Sequence, residues 1–159
     1  MVKFVLLIVL VFLIMLIASG VSRQYRERSL IFKEIMSFLN SYKLNIGFQK
    51  EKLKNLVSNF NSKGEAKHFF SIYADFLTNN KELNFDKIKL LLADEKEFLI
   101  SVFKKLGNGD FETEKKLLEI AQQYVLEKID ETKKFEEKWC PMIMKLSLLF
   151  GIGVAILFI

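Results

Sequence analysis

Arginine is nearly missing from this chain. Against 21 lysines there are three, Arg23, Arg26 and Arg28, and all fall within one stretch, "SGVSRQYRERSL". Cysteine, histidine, tryptophan and proline occur once each, and glycine only seven times in 159 residues. Each scarcity excludes something. A lone Cys140 forms no internal disulfide. One His68 and one Cys, without clustered carboxylates, match none of the common metal-site patterns and no Cys–His nucleophile arrangement. There is no GxxxxGK(S/T) and no GxGxxG, so no phosphate-cradling loop is recognisable. "GNG" at 107–109 lacks the preceding strand and following Lys-Ser/Thr that a phosphate loop needs, and reads as a helix-to-helix turn. No catalytic site, cofactor or small-molecule substrate is indicated.

Charge of one sign is also in short supply. The net charge is +5, and setting aside Lys3 and Lys145 near the two ends leaves +3. A mild, interspersed excess without a basic stripe does not point to nucleic acid. The 16 phenylalanines stand at core-type positions rather than among basic residues.

Apolar residues make up 51% of the chain and concentrate at its ends. Phe4–Gly20, "FVLLIVLVFLIMLIASG", carries no charge over 17 residues. A helix of ~17–25 such residues crosses the hydrocarbon core of a bilayer, so residues 1–22 are expected to form a transmembrane helix. A signal peptide cleaved near Ala18-Ser19-Gly20 fits less well, because the run is long and a basic cluster follows directly. The second expected span is 140–159, "CPMIMKLSLLFGIGVAILFI", with Trp139 at the interface and Lys145 able to snorkel. Within it Ser147, Gly151 and Ala155 make a small-residue stripe suited to close helix packing. Arg23, Arg26, Arg28 and Lys33 follow the first span, and Lys133, Lys134 and Lys138 precede the second. The positive-inside rule therefore places 23–139 in the cytoplasm and both termini outside. Lysine would serve topology equally. The arginines are thus read either as chance clustering retained for topology or as a contact to lipid phosphate or an acidic partner, since a guanidinium recognises both in paired geometry.

Between the spans the apolar spacing is helical throughout. Residues 28–46 align Ile31, Ile35, Phe38 and Tyr42, with Gly47 as a stop. Residues 49–60 align Leu53, Leu56, Val57 and Phe60, and 65–78 align Phe69, Ile72, Tyr73, Phe76 and Leu77. A short helix is expected over 84–93, with Phe85, Ile88, Leu91 and Leu92. Asp94 and Glu97 resemble a capping box, with Asp94, Glu95 and Glu97 exposed at the start of a helix through Leu106. Gly107 suits a left-handed C-terminal position, and Asp110 suits the cap of a long last helix that Pro141 is expected to kink where it enters the bilayer. The fold class is all-α: about six helices in a bundle, 23–139, between two membrane helices.

Three stretches carry a family resemblance: "YRERSLIFKEIMSFLNSYKLNI" after the first apolar run, "LISVFKKLGNGDFETEKK" with its Leu-Gly-x-x-Asp turn, and the closing "KWCPMIMKLSLLFGIGVAILFI". In their order the chain resembles the stage III sporulation protein AB family of endospore-forming bacteria. It is shorter, and Glu and Lys stand where the family carries Gln after Asp110. The resemblance implies a subunit of the mother-cell complex that builds a channel to the engulfed forespore. Its soluble domain would be similar to the cytoplasmic domain of type II secretion platform F-proteins. It further implies partners in the cytoplasmic ATPase, stage III sporulation protein AA, and other proteins of the complex. The alternative from the residues alone is a stand-alone scaffold that binds anionic lipid through the three arginines.

Overall fold

The computed structural model describes residues 2–44, 50–79 and 81–158; the side chains of 2–8, 10, 50–52, 155, 157 and 158 lie outside the described set. The described residues form five α-helices and no strand: α1 (Val2–Leu44), α2 (Lys50–Asn59), α3 (Glu65–Asn79), α4 (Ala93–Phe103) and α5 (Phe111–Phe158). The all-α class is thus correct, and the expected count is reduced by one. Gly47 lies outside the described residues.

The missing helix is the one expected over 84–93. That stretch is a chain of turns. Asn84 Oδ1 accepts the Asp86 N–H at 2.6 Å, and the Ile88 N–H donates to the Phe85 carbonyl at 2.9 Å. An Asx turn of this kind offers the backbone an alternative to helix. Leu83, Phe85, Ile88 and Leu91 are all buried. Successive turns deliver apolar residues inward every second or third position, which mimics a helical stripe.

The chain divides into two compact units. One comprises 27–130, the other 1–26 with 131–159. α1 and α5 each contribute to both. In the second unit Tyr25 stacks on Phe135 with ring centroids 4.2 Å apart, and Phe135 stacks on Trp139.

The 27–130 unit is organised on aromatic rings. Phe38 of α1 meets Phe60, Phe70, Tyr73 and Phe103, all within 6.2 Å between centroids. Phe69 stacks on Phe85 at 4.3 Å, tying the turn segment to α3. Edge-to-face and offset pairs of this sort add about 0.5–1.5 kcal/mol each beyond the area they bury. Ile31, Phe32, Ile35 and Leu39 continue the buried face of α1, and Leu118, Ala121 and Val125 that of α5.

In the other unit, apolar side chains point outward. Phe12, Leu13, Leu16 and Ile17 of α1 are exposed, as are Leu146, Leu149, Phe150 and Ile156 of α5. Cys140 is buried, its Sγ 4.0 Å from the Ser22 carbonyl oxygen. Pro141 lies inside α5, which continues on both sides of it. Among the described residues no helix is long and apolar enough to cross a membrane. Residues 4–8 and 10 of the first apolar run, and 155 and 157–159 of the second, have side chains outside that set.

Candidate functional site

The arginines part company in the structure. Arg28 lies three residues before Ile31 and seven before Ile35, on the buried face of α1, and its side chain is only 22% exposed. Its Nη2 donates to Glu95 Oε1 at 2.7 Å. Glu95 is fully buried, and its Oε2 accepts the Leu92 N–H at 2.9 Å, capping the start of α4. This corrects two expectations. Glu95, not Glu97, is the capping carboxylate, and it is interior rather than exposed. The reason is register: Glu95 stands four residues before Leu99 and seven before Val102, on the inward face of α4. A carboxylate placed there must be paired to be tolerated, and Arg28 pairs it.

Arg26 is exposed, with its Nε 3.7 Å from Glu136 Oε1, and Arg23 is exposed. A surface pair at that distance contributes little, about 0–1 kcal/mol.

The turn between α4 and α5 has a second buried carboxylate. Glu114 Oε1 accepts the N–H groups of Gly107 at 2.6 Å and Gly109 at 3.1 Å. Its Oε2 accepts the Tyr42 hydroxyl at 3.0 Å, joining α5 to α1 across 72 residues of chain. Gly107 sits at φ +79°, a left-handed backbone that glycine adopts without steric cost. Asp110 precedes α5; hydrogen bonds from Thr113 hold its carboxyl below the ordinary carboxylate range. Burial, and then the Glu114 charge, push the Tyr42 hydroxyl well above its ordinary value. Burial does the same to Tyr73, whose hydroxyl lies in the core.

Glu114 stands on the line Leu118, Ala121, Val125, the buried stripe of α5. For Glu95 and Glu114 alike the sequence carried a legible sign, an acidic residue in register with an apolar stripe. Reading first-turn acids only as complements to the helix dipole misses it.

In the apolar unit, Gly151 is buried; a Cβ there would lie 3.1 Å from Val11 Cγ1, so the two helices approach closely at this glycine. Ser147 turns its hydroxyl to the Met144 carbonyl at 2.8 Å. The Ala155 side chain lies outside the described residues. His68 is exposed. Among the described residues no three His, Cys, Asp or Glu side chains are grouped to hold a metal ion.

Taken as a class, the described residues form an all-helical protein whose two buried carboxylates, Glu95 and Glu114, are engaged with its own backbone, arginine and tyrosine. A protein-family model, that of stage III sporulation protein AB, matches residues 3–159, and the chain belongs to that family. It is a protein of stage III sporulation. No curated protein and no solved structure matches it.

Proposed function

We propose that the protein is a non-enzymatic, membrane-anchored scaffold in a mother-cell sporulation complex. Residues 1–22 and 140–159 cross the membrane, and the helical bundle lies in the cytoplasm. There it docks the cytoplasmic ATPase, stage III sporulation protein AA, to the membrane components of a secretion-like channel. The observation that carries this reading is the outward apolar surface of the terminal segments. Ile17 is 68% exposed, Ile156 69%, Phe150 66% and Phe12 62%, in a family of stage III sporulation. In water such a surface is an unmet cost, and a bilayer removes it. Tyr25, Phe135 and Trp139 stack at the edge of these segments, where interfacial aromatics gather.

The lipid-scaffold reading is weakened by the arginines themselves. Arg28 is committed to Glu95, so the basic cluster offers two arginines to a surface rather than three.

Reporter fusions test the topology. Fusions after residue 22 and within 61–64 should report cytoplasm, and fusions at either terminus the outside. An external signal from 61–64 would overturn the arrangement and the docking role with it.

A further inference from the structure

We propose that the groove where α4 turns into α5 is the docking site for a segment of a partner protein that carries acidic side chains around an apolar one. This rests on reading the chain as a complex subunit and names the surface and partner chemistry that role would use. The groove is open, with a volume of about 460 Å³, and is lined by Lys104, Lys105, Lys116, Leu117 and Ile120 beside the 108–109 turn. Ile120 is 57% exposed, a large aliphatic side chain left facing solvent between lysines. Neither Lys104 nor Lys105 has an acidic residue three or four positions away, so no helix-face pair neutralises them.

Lys116 stands four residues after Glu112 and three before Glu119, which offset its charge, while the two carboxylates at the turn itself are engaged. Glu114 directs its oxygens to Gly107, Gly109 and Tyr42. Asp110, which also feels Lys116, is held by Thr113. Lys104 and Lys105 therefore keep a surplus of positive charge beside an apolar floor. The turn that forms one wall is fixed by the Glu114 hydrogen bonds, so the groove exists before a partner arrives, which lowers the ordering cost of binding. A carboxylate-bearing peptide with a leucine-like anchor satisfies both halves; a phosphate surface would use the lysines and leave Ile120 unmatched.

The test uses the full chain in neutral detergent micelles and a short fluorescent peptide of glutamates around two leucines, read by anisotropy. The Lys104→Gln/Lys105→Gln/Lys116→Gln variant should raise Kd about tenfold, as expected for the loss of three exposed ion pairs. Ile120→Ser should raise it about fivefold through lost apolar burial. The same peptide with Gln for Glu, or Ser for Leu, should bind correspondingly worse. Lys133→Gln/Lys134→Gln, lysines outside the groove, should leave Kd unchanged. Equal binding by the groove variants, or equal loss from the control pair, overturns the proposal. Stronger groove-dependent binding to phosphatidylglycerol vesicles than to the peptide overturns it in favour of lipid. Co-purification of the ATPase separates the two levels. Retention by the wild type and by the groove variant alike leaves the scaffold role standing and removes the groove. Loss from the wild type removes the ATPase-docking role, while the peptide result decides the groove.

Discussion

Arg28 and Glu95, 67 residues apart in sequence, form an interior ion pair in which one guanidinium nitrogen lies 2.7 Å from a fully buried carboxylate. The same carboxylate caps α4 through the Leu92 N–H, so a single side chain fixes the start of one helix and its attachment to another. Removing one member of a buried pair leaves the other uncompensated. Glu95→Ala is expected to cost about 3 kcal/mol, and Arg28→Lys about 1–2 kcal/mol because the ammonium does not reproduce the placement of Nη2 against Glu95 Oε1. Thermal unfolding followed by circular dichroism reads both. Unchanged midpoints would show that the pair contributes nothing.

The crowding of arginine at one point follows in part from this pair. Arg23→Lys/Arg26→Lys should insert and sporulate as wild type, because both side chains are exposed and keep their charge. Adding Arg28→Lys should lower sporulation in proportion to the loss of stability. A defect from the first two alone would instead place a partner or lipid contact at the exposed arginines.

Glu114 is expected to matter more than any single partner it holds. Glu114→Ala removes three hydrogen bonds, about 2–4 kcal/mol, whereas Tyr42→Phe removes one, about 1 kcal/mol. Gly107→Ala should cost about 1 kcal/mol for a left-handed backbone, and Gly107→Asn less. A Glu114→Ala effect no larger than that of Tyr42→Phe would mean the turn holds itself.

Alkaline pH should loosen the bundle. Tyr42 and Tyr73 have folded pKa values raised by burial above their unfolded value near 10. Above about pH 10 the unfolded chain releases these protons first, so it binds fewer protons than the folded chain and stability falls as pH rises. Below that pH the contribution is fully present. Tyr42→Phe and Tyr73→Phe should each flatten the decline in melting temperature between pH 9 and 11, wherever their own cost at neutral pH leaves the midpoint. A slope unchanged in both would show that neither hydroxyl is held protonated.

Much of the bundle is written in its apolar spacing: the faces of α1, α2, α3 and α5 follow i, i+3, i+4, i+7 lines that the packed core uses. The segment 84–93 misleads because burial at 85, 88 and 91 looks the same whether a helix or successive turns delivers it. Asn84 and its Asx turn decide the matter through a side-chain hydrogen bond that periodicity does not register. Phe85→Ala should therefore be as costly as a core helix position, about 3–5 kcal/mol, despite lying in irregular chain. The pairing of Arg28 with Glu95, and of Glu114 with Tyr42, was less legible. Register shows that each residue faces inward, but only the fold determines which partner it meets.

The central claim, that the protein holds a cytoplasmic ATPase to a membrane complex during sporulation, is tested most directly by affinity purification of the full chain from solubilised membranes of sporulating cells. The account predicts that the chain is found in the membrane fraction and that stage III sporulation protein AA elutes with it. Recovery of the chain from the soluble fraction, or from membranes without the ATPase, would contradict it.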